Sequence, residues 1–92
     1  MKILIVEDEP ALRELIQRSL EKERFVVETA ADFYAGLDKI EVYDYDCILL
    51  DIMLPGGSGL QLLERLKELR KKENVSIISA KDSLEDKVLG LE

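Results

Sequence analysis

Four short β-rich runs, starting at Lys2, Phe25, Asp46 and Val75, alternate with stretches of helical periodicity, which restricts the chain to a repeated βα architecture. Strands are predicted near 2–6, 25–29, 46–50 and 75–79, with helices near 10–22, 32–40, 58–71 and from about 83. Each interval leaves room for one crossover helix, the connection that parallel strands need. The expectation is therefore a single α/β domain over residues 1–92, with a mostly parallel sheet covered on both faces. Lys2-Ile-Leu-Ile-Val6 and Cys47-Ile-Leu-Leu50 are apolar runs suited to the sheet centre, whereas Phe25-Val-Val-Glu-Thr29 is more polar and suits an edge.

Helix signals support these boundaries. Pro10 opens the first helix where its missing N–H costs nothing, and Leu12, Leu15, Ile16 and Leu20 are predicted to form its inward stripe. Arg13, Glu14, Arg18 and Glu21 fall on the other side and read as a solvated face. Ser58 is a plausible N-cap after Pro55-Gly56-Gly57, followed by Leu60, Leu63 and Leu66 inward and Glu64, Lys67, Glu68 and Arg70 outward. Asp82 and Glu85 have the spacing of a capping box.

Both apolar strands run into carboxylates, the first into Glu7-Asp8-Glu9 and the third into Asp51. In open α/β sheets the ligand crevice lies beyond the carboxyl ends of the strands, so adjacent strands would gather Glu7, Asp8 and Asp51 into one acidic pocket. Two carboxylates about 5 Å apart at an effective dielectric of about 20 repel by roughly 3 kcal/mol. A hard divalent cation offsets that repulsion. An oxygen-only donor set suits Mg²⁺ or Mn²⁺, and Mg²⁺ commonly joins one or two carboxylates to a phosphate, so the pocket reads as a metal-assisted phosphoryl site.

Composition narrows the partners. Nearly half the residues are apolar and over a third charged, which is globular rather than disordered, and the net charge of −7 disfavours direct nucleic-acid binding. The single Cys47 excludes an internal disulfide and reads as a small core residue. No apolar run approaches the roughly 18 residues that span a bilayer, and Met1-Lys2-Ile3 enters a strand without a basic leader, so a cytoplasmic location with no membrane partner is expected. With no His, the chain cannot itself be a phosphohistidine donor.

The runs Ile3-Leu-Ile-Val-Glu-Asp-Glu-Pro10, Ile48-Leu-Leu-Asp-Ile-Met-Leu-Pro-Gly-Gly-Ser-Gly-Leu60 and Ile77-Ile-Ser-Ala-Lys-Asp82, in this order and spacing, resemble the receiver domain of two-component response regulators, closest to those preceding a winged-helix DNA-binding domain. The resemblance implies a flavodoxin-like three-layer fold with strand order 2-1-3-4. It implies that Asp51 accepts the phosphoryl group, that Glu7 and Asp8 form the acidic pair holding Mg²⁺, and that the Met53 backbone carbonyl completes the metal site. Asp8 and Asp51 would ligate directly and Glu7 partly through water. Ser79 matches the hydroxyl residue contacting the phosphoryl group, and Ala80 the small residue that leaves space for the donor.

The implied partners are a histidine kinase and an effector DNA-binding domain not in this chain. The resemblance further implies a fifth strand, bearing a lysine and an aromatic switch residue, beyond Glu92; Lys81 matches the loop after Ser79 and not that lysine. A C-terminally incomplete receiver, lacking the fifth strand and helix, is therefore expected. The edge of its fourth strand would be open to homodimerisation or a strand swap. Two other readings stay open: a phosphorylation-incompetent fragment acting only in association, and a flavodoxin-like flavin-binding module, although Glu7-Asp8-Glu9 would repel a flavin phosphate.

Overall fold

The structure, a computed structural model, describes residues 1–71 and 74–78. Its elements run β1 (Lys2–Val6), α1 (Pro10–Lys22), β2 (Val26–Ala30), α2 (Phe33–Val42), β3 (Cys47–Asp51), β4 (Met53–Leu54), β5 (Gly57–Ser58), α3 (Gly59–Glu68) and β6 (Val75–Ile78). The main sheet has the order β2-β1-β3-β6 and is parallel throughout, so the expected 2-1-3-4 order is observed for the four long strands. The expected helix from about 83 and its Asp82–Glu85 capping box lie outside the described residues, as do Ser79, Ala80 and Lys81.

β1 is the most buried strand, with Ile3, Leu4, Ile5 and Val6 all sequestered. Side chains alternate between the faces of a strand. Leu4 and Val6 join Ile48, Leu50, Ile40, Leu62 and Leu66 in one core beneath α2 and α3, leaving Ile3 and Ile5 for the opposite face, where α1 crosses β1 and β2. Outer strand β2 is more open, with Val26 exposed, as its polar sequence suggests.

Two helix faces differ from expectation. On α1, Leu12, Ile16 and Leu20 are half-buried but Leu15 is exposed. At 100° per residue Leu15 lies about 100° from the centre of that stripe, and among the described residues α1 packs chiefly on β1 and β2, which bury a narrow band. Arg13 is not on a solvated face: it is half-buried on the stripe's other flank. On α3 the inward residues are Leu62 and Leu66, flanked by Leu63, while Leu60 faces solvent. At 100° per residue Leu60 lies nearly opposite Leu62, so the helix that buries Leu62 and Leu66 exposes Leu60.

Between Asp51 and α3 the chain forms a small antiparallel hairpin, with Met53 opposite Ser58 and Leu54 opposite Gly57. Pro55 followed by Gly56 at φ 90° is the chemistry a type II turn requires. At its base a Cβ on Gly59 would overlap the Asp51 carbonyl, and the Gly59 N–H donates to the Ile52 carbonyl at 2.7 Å. Strand β3, hairpin and α3 are thus locked together immediately beside Asp51.

Candidate functional site

The acidic residues converge where β1 and β3 end. Glu7, Asp8 and Asp51 each offer a carboxylate oxygen, and the three atoms lie within 4.8 Å of one another. Adjacent parallel pairing does this: Val6 lies opposite Leu50, so Glu7, just past β1, and Asp51, the last residue of β3, emerge side by side. Glu7 and Asp51 are fully buried and Asp8 is half-buried.

The Glu7 and Asp51 carboxylates are each held by nearby backbone. The Glu7 N–H donates to the Ala30 carbonyl at 3.0 Å, which ties the acidic turn to the end of β2. Glu7 Oε2 accepts from the Glu9 N–H at 2.8 Å. Asp51 Oδ1 accepts from the Met53 N–H at 3.3 Å, so the first residue of the hairpin orients the carboxylate at the end of β3. Arg13 Nη1 donates to the carbonyls of Glu7 at 3.0 Å and Asp8 at 3.4 Å, clamping the turn from α1. Its guanidinium thus meets the backbone carbonyls of the turn.

The Glu7 carboxyl is pushed up from 4.5 to about 7, chiefly by burial; the Glu9 N–H acts downward, and the charge of Asp51, a proton shared with its carboxyl and the charge of Asp8 add to the rise. Glu7 Oε1 is buried without a hydrogen-bond donor among the described residues, in a cluster whose neighbouring groups are carboxyls. A buried acceptor facing other acceptors is costly unless a proton or a cation intervenes. Three hard oxygen donors, with no thiolate or imidazole near, suit Mg²⁺ or Mn²⁺. The residues present therefore fit the expected divalent cation.

Of the expected site residues, Glu7, Asp8 and Asp51 are brought together and Met53 lies two residues beyond Asp51, with its side chain exposed and its backbone turned toward the carboxylate. Ser79 lies outside the described residues. Cys47 is half-buried at the opposite end of β3 from Asp51, and burial pushes its thiol up, which disfavours the reactive thiolate. Sequence reasoning missed the Arg13 clamp and the hairpin. Pro55-Gly56 carried a usable turn signal for the hairpin; nothing in the spacing marked Arg13.

The chain matches the family model described as "Response regulator receiver domain" over residues 3–92. It is 42% identical over 90 residues to the transcriptional regulatory protein YkoG of Bacillus subtilis, covering 98% of this chain and 40% of YkoG. The transcriptional activator protein IrlR of Burkholderia pseudomallei is 40% identical over 92 residues, covering 100% of this chain and 40% of IrlR. The chain thus spans about 40% of the length of these curated relatives. Among solved structures, response regulator protein TrrA of Thermotoga maritima in complex with Mg²⁺ and BeF superimposes with TM-score 0.71 at 37% identity, over 83% of this chain and 64% of TrrA. A complex of histidine kinase ThkA with TrrA gives TM-score 0.76 at 33% identity, over 90% of this chain and 72% of the matched one.

Proposed function

This chain belongs to the response regulator receiver domain family, and from that premise we propose that it is a Mg²⁺-dependent phospho-acceptor that takes a phosphoryl group from a histidine kinase on Asp51. The observation that supports this most directly is the convergence of Glu7, Asp8 and Asp51 at the carboxyl ends of β1 and β3. The proposed domain is 1–92, its effector a DNA-binding domain like those implied by the names of its transcriptional-regulator relatives, and its compartment the cytoplasm. Among the described residues no helix is long and apolar enough to cross a membrane. The chain acts as a switch and not as a conventional enzyme.

The chemistry rests on position. A carboxylate is a weak nucleophile, and its attack on phosphorus depends on alignment and on neutralising the incoming charge. The Met53 N–H on Oδ1 fixes the rotation of the Asp51 carboxylate. The P–N bond of the donor phosphohistidine breaks as an Asp51 oxygen bonds to phosphorus. Glu7, Asp8, Asp51 and the Met53 carbonyl would hold the Mg²⁺, whose charge lets a phosphoryl group approach three carboxylates. Arg13 keeps the Glu7–Asp8 turn in place, and Ser79 is assigned the phosphoryl contact.

Beryllofluoride titration followed through the Asp51 and Met53 amide resonances tests the proposal. The expected result is a Mg²⁺-dependent shift of both. Resonances unmoved by beryllofluoride and Mg²⁺ together would favour the association-only reading.

A further inference from the structure

The hairpin that orients Asp51 is gripped at its tip by two aromatic residues of α2. The Phe33 N–H donates to the Pro55 carbonyl at 3.0 Å. A Cβ on Gly56 would fall 2.7 Å from the Tyr34 ring, and one on Gly57 would fall 2.7 Å from the Phe33 ring, so each ring sits directly on one glycine of the turn. The two rings brace each other edge to face, with centroids 5.2 Å apart at 85°. Phe33 is half-buried and packs against the core, whereas Tyr34 is exposed.

The path from these rings to the site is short and stiff. Pairing of Leu54 with Gly57 and of Met53 with Ser58 makes the tip and the base of the hairpin move together. At the base, the Met53 N–H reaches Asp51 Oδ1. Gly59, packed against the Asp51 carbonyl, closes the other side. A shift of the tip must therefore appear at the Met53 backbone, between two pinned ends.

We propose that Phe33, supported by Tyr34, is a positioning residue for the phospho-acceptor site: its ring and backbone N–H fix the Met53 peptide, and through it the Asp51 carboxylate and the cation that the acidic residues hold. This rests on the reading of the acidic cluster as a Mg²⁺ site. Outer supports of metal sites commonly contribute about tenfold or more to affinity.

The test compares Phe33→Ala, Tyr34→Ala, Phe33→Tyr and, as a control destabilised in the core at the other end of α2 from Phe33, Ile40→Val. Met53 amide hydrogen exchange is measured without metal, and the Mg²⁺ midpoint is read from the Asp51 and Met53 resonances. Phe33→Ala is expected to speed Met53 exchange beyond any rise common to the fold and to raise the Mg²⁺ midpoint about tenfold. Tyr34→Ala, on an exposed ring that the fold does not need, should move both in the same direction by a smaller factor. Phe33→Tyr, which keeps the ring, should restore both, and Ile40→Val should leave the midpoint at the wild-type value. Phe33→Ala with a lowered Tm but unchanged Met53 exchange and Mg²⁺ midpoint would overturn the proposal, as would an equal midpoint change in Ile40→Val. A wild-type chain without a Mg²⁺ response would refute the metal site instead, and Met53 exchange, measured without metal, would still decide for or against the brace.

Discussion

Replacing Asp51 by Asn should make the metal-free protein more stable at alkaline pH, although Asp51 is the residue the function needs. Glu7 is fully buried and its carboxyl is pushed up from 4.5 to about 7. An acid whose pKa is raised on folding binds its proton more tightly in the native state. Its contribution is therefore intact below the unfolded value of 4.5 and lost as pH rises through about 7. At 1.36 kcal/mol per unit the loss at pH 8 is about 3 kcal/mol. Burial is the largest cause, and Asp51 supplies part of the rest; a unit charge within 4.8 Å at an effective dielectric of about 20 bounds that part near 3 kcal/mol. Asp51→Asn removes the charge and offers an amide donor to Glu7 Oε1, for an expected gain of about 2 kcal/mol. For a domain of this size that is roughly 10 °C in Tm. Circular-dichroism melts in EDTA at pH 8 should show the gain, melts at pH 5 should show it shrink as Glu7 is protonated, and Mg²⁺ should stabilise the wild type but not the variant. Equal or lower stability of Asp51→Asn in EDTA at pH 8, or the same gain at both pH values, would refute the electrostatic account.

Other parts of the structure give separate predictions. Glu28 accepts from the Tyr45 hydroxyl at 2.6 Å and pairs with Lys2 at 3.3 Å and Lys39 at 3.4 Å, and these partners, Tyr45 first, hold its carboxyl below the ordinary range. Its stabilisation is present above the ordinary carboxylate pKa and lost as pH falls through the lowered one, so urea unfolding of Glu28→Gln should show a loss of about 1 kcal/mol at pH 7 that shrinks in acid. Gly59→Ala drives a methyl into the Asp51 carbonyl and should cost about 3 kcal/mol in the same assay. Leu62→Ala should cost about 3 kcal/mol, whereas Leu15→Ala and Leu60→Ala should stay within about 0.5 kcal/mol, although sequence periodicity alone places both of the latter inward.

The parts of the fold legible in the sequence were those set by local pattern. The apolar runs at β1 and β3, Pro10 at the start of α1 and Ser58 before α3 mark their elements because each satisfies a local backbone or burial requirement. The carboxylates of the site were legible for a related reason: parallel pairing turns strand ends into neighbours, so Glu7 and Asp51 meet once β1 lies beside β3. Contacts decided across elements were not legible. Leu15 and Leu60 have apolar side chains at helical positions, but the width of the surface facing α1 decides the exposure of Leu15 and the face that α3 turns inward decides that of Leu60, and both are properties of the assembled fold. The Arg13 clamp and the Phe33–Tyr34 brace likewise depend on where α1 and α2 land against loops distant in sequence.

The central claim is that Asp51 carries the phosphoryl group, and intact-mass spectrometry after incubation with Mg²⁺ and a small-molecule phosphodonor tests it most directly. A single phosphoryl adduct that requires Mg²⁺ and is absent from Asp51→Asn is the predicted result. A folded wild-type chain that gains no adduct, or an adduct that persists in Asp51→Asn or forms equally in EDTA, would contradict the claim.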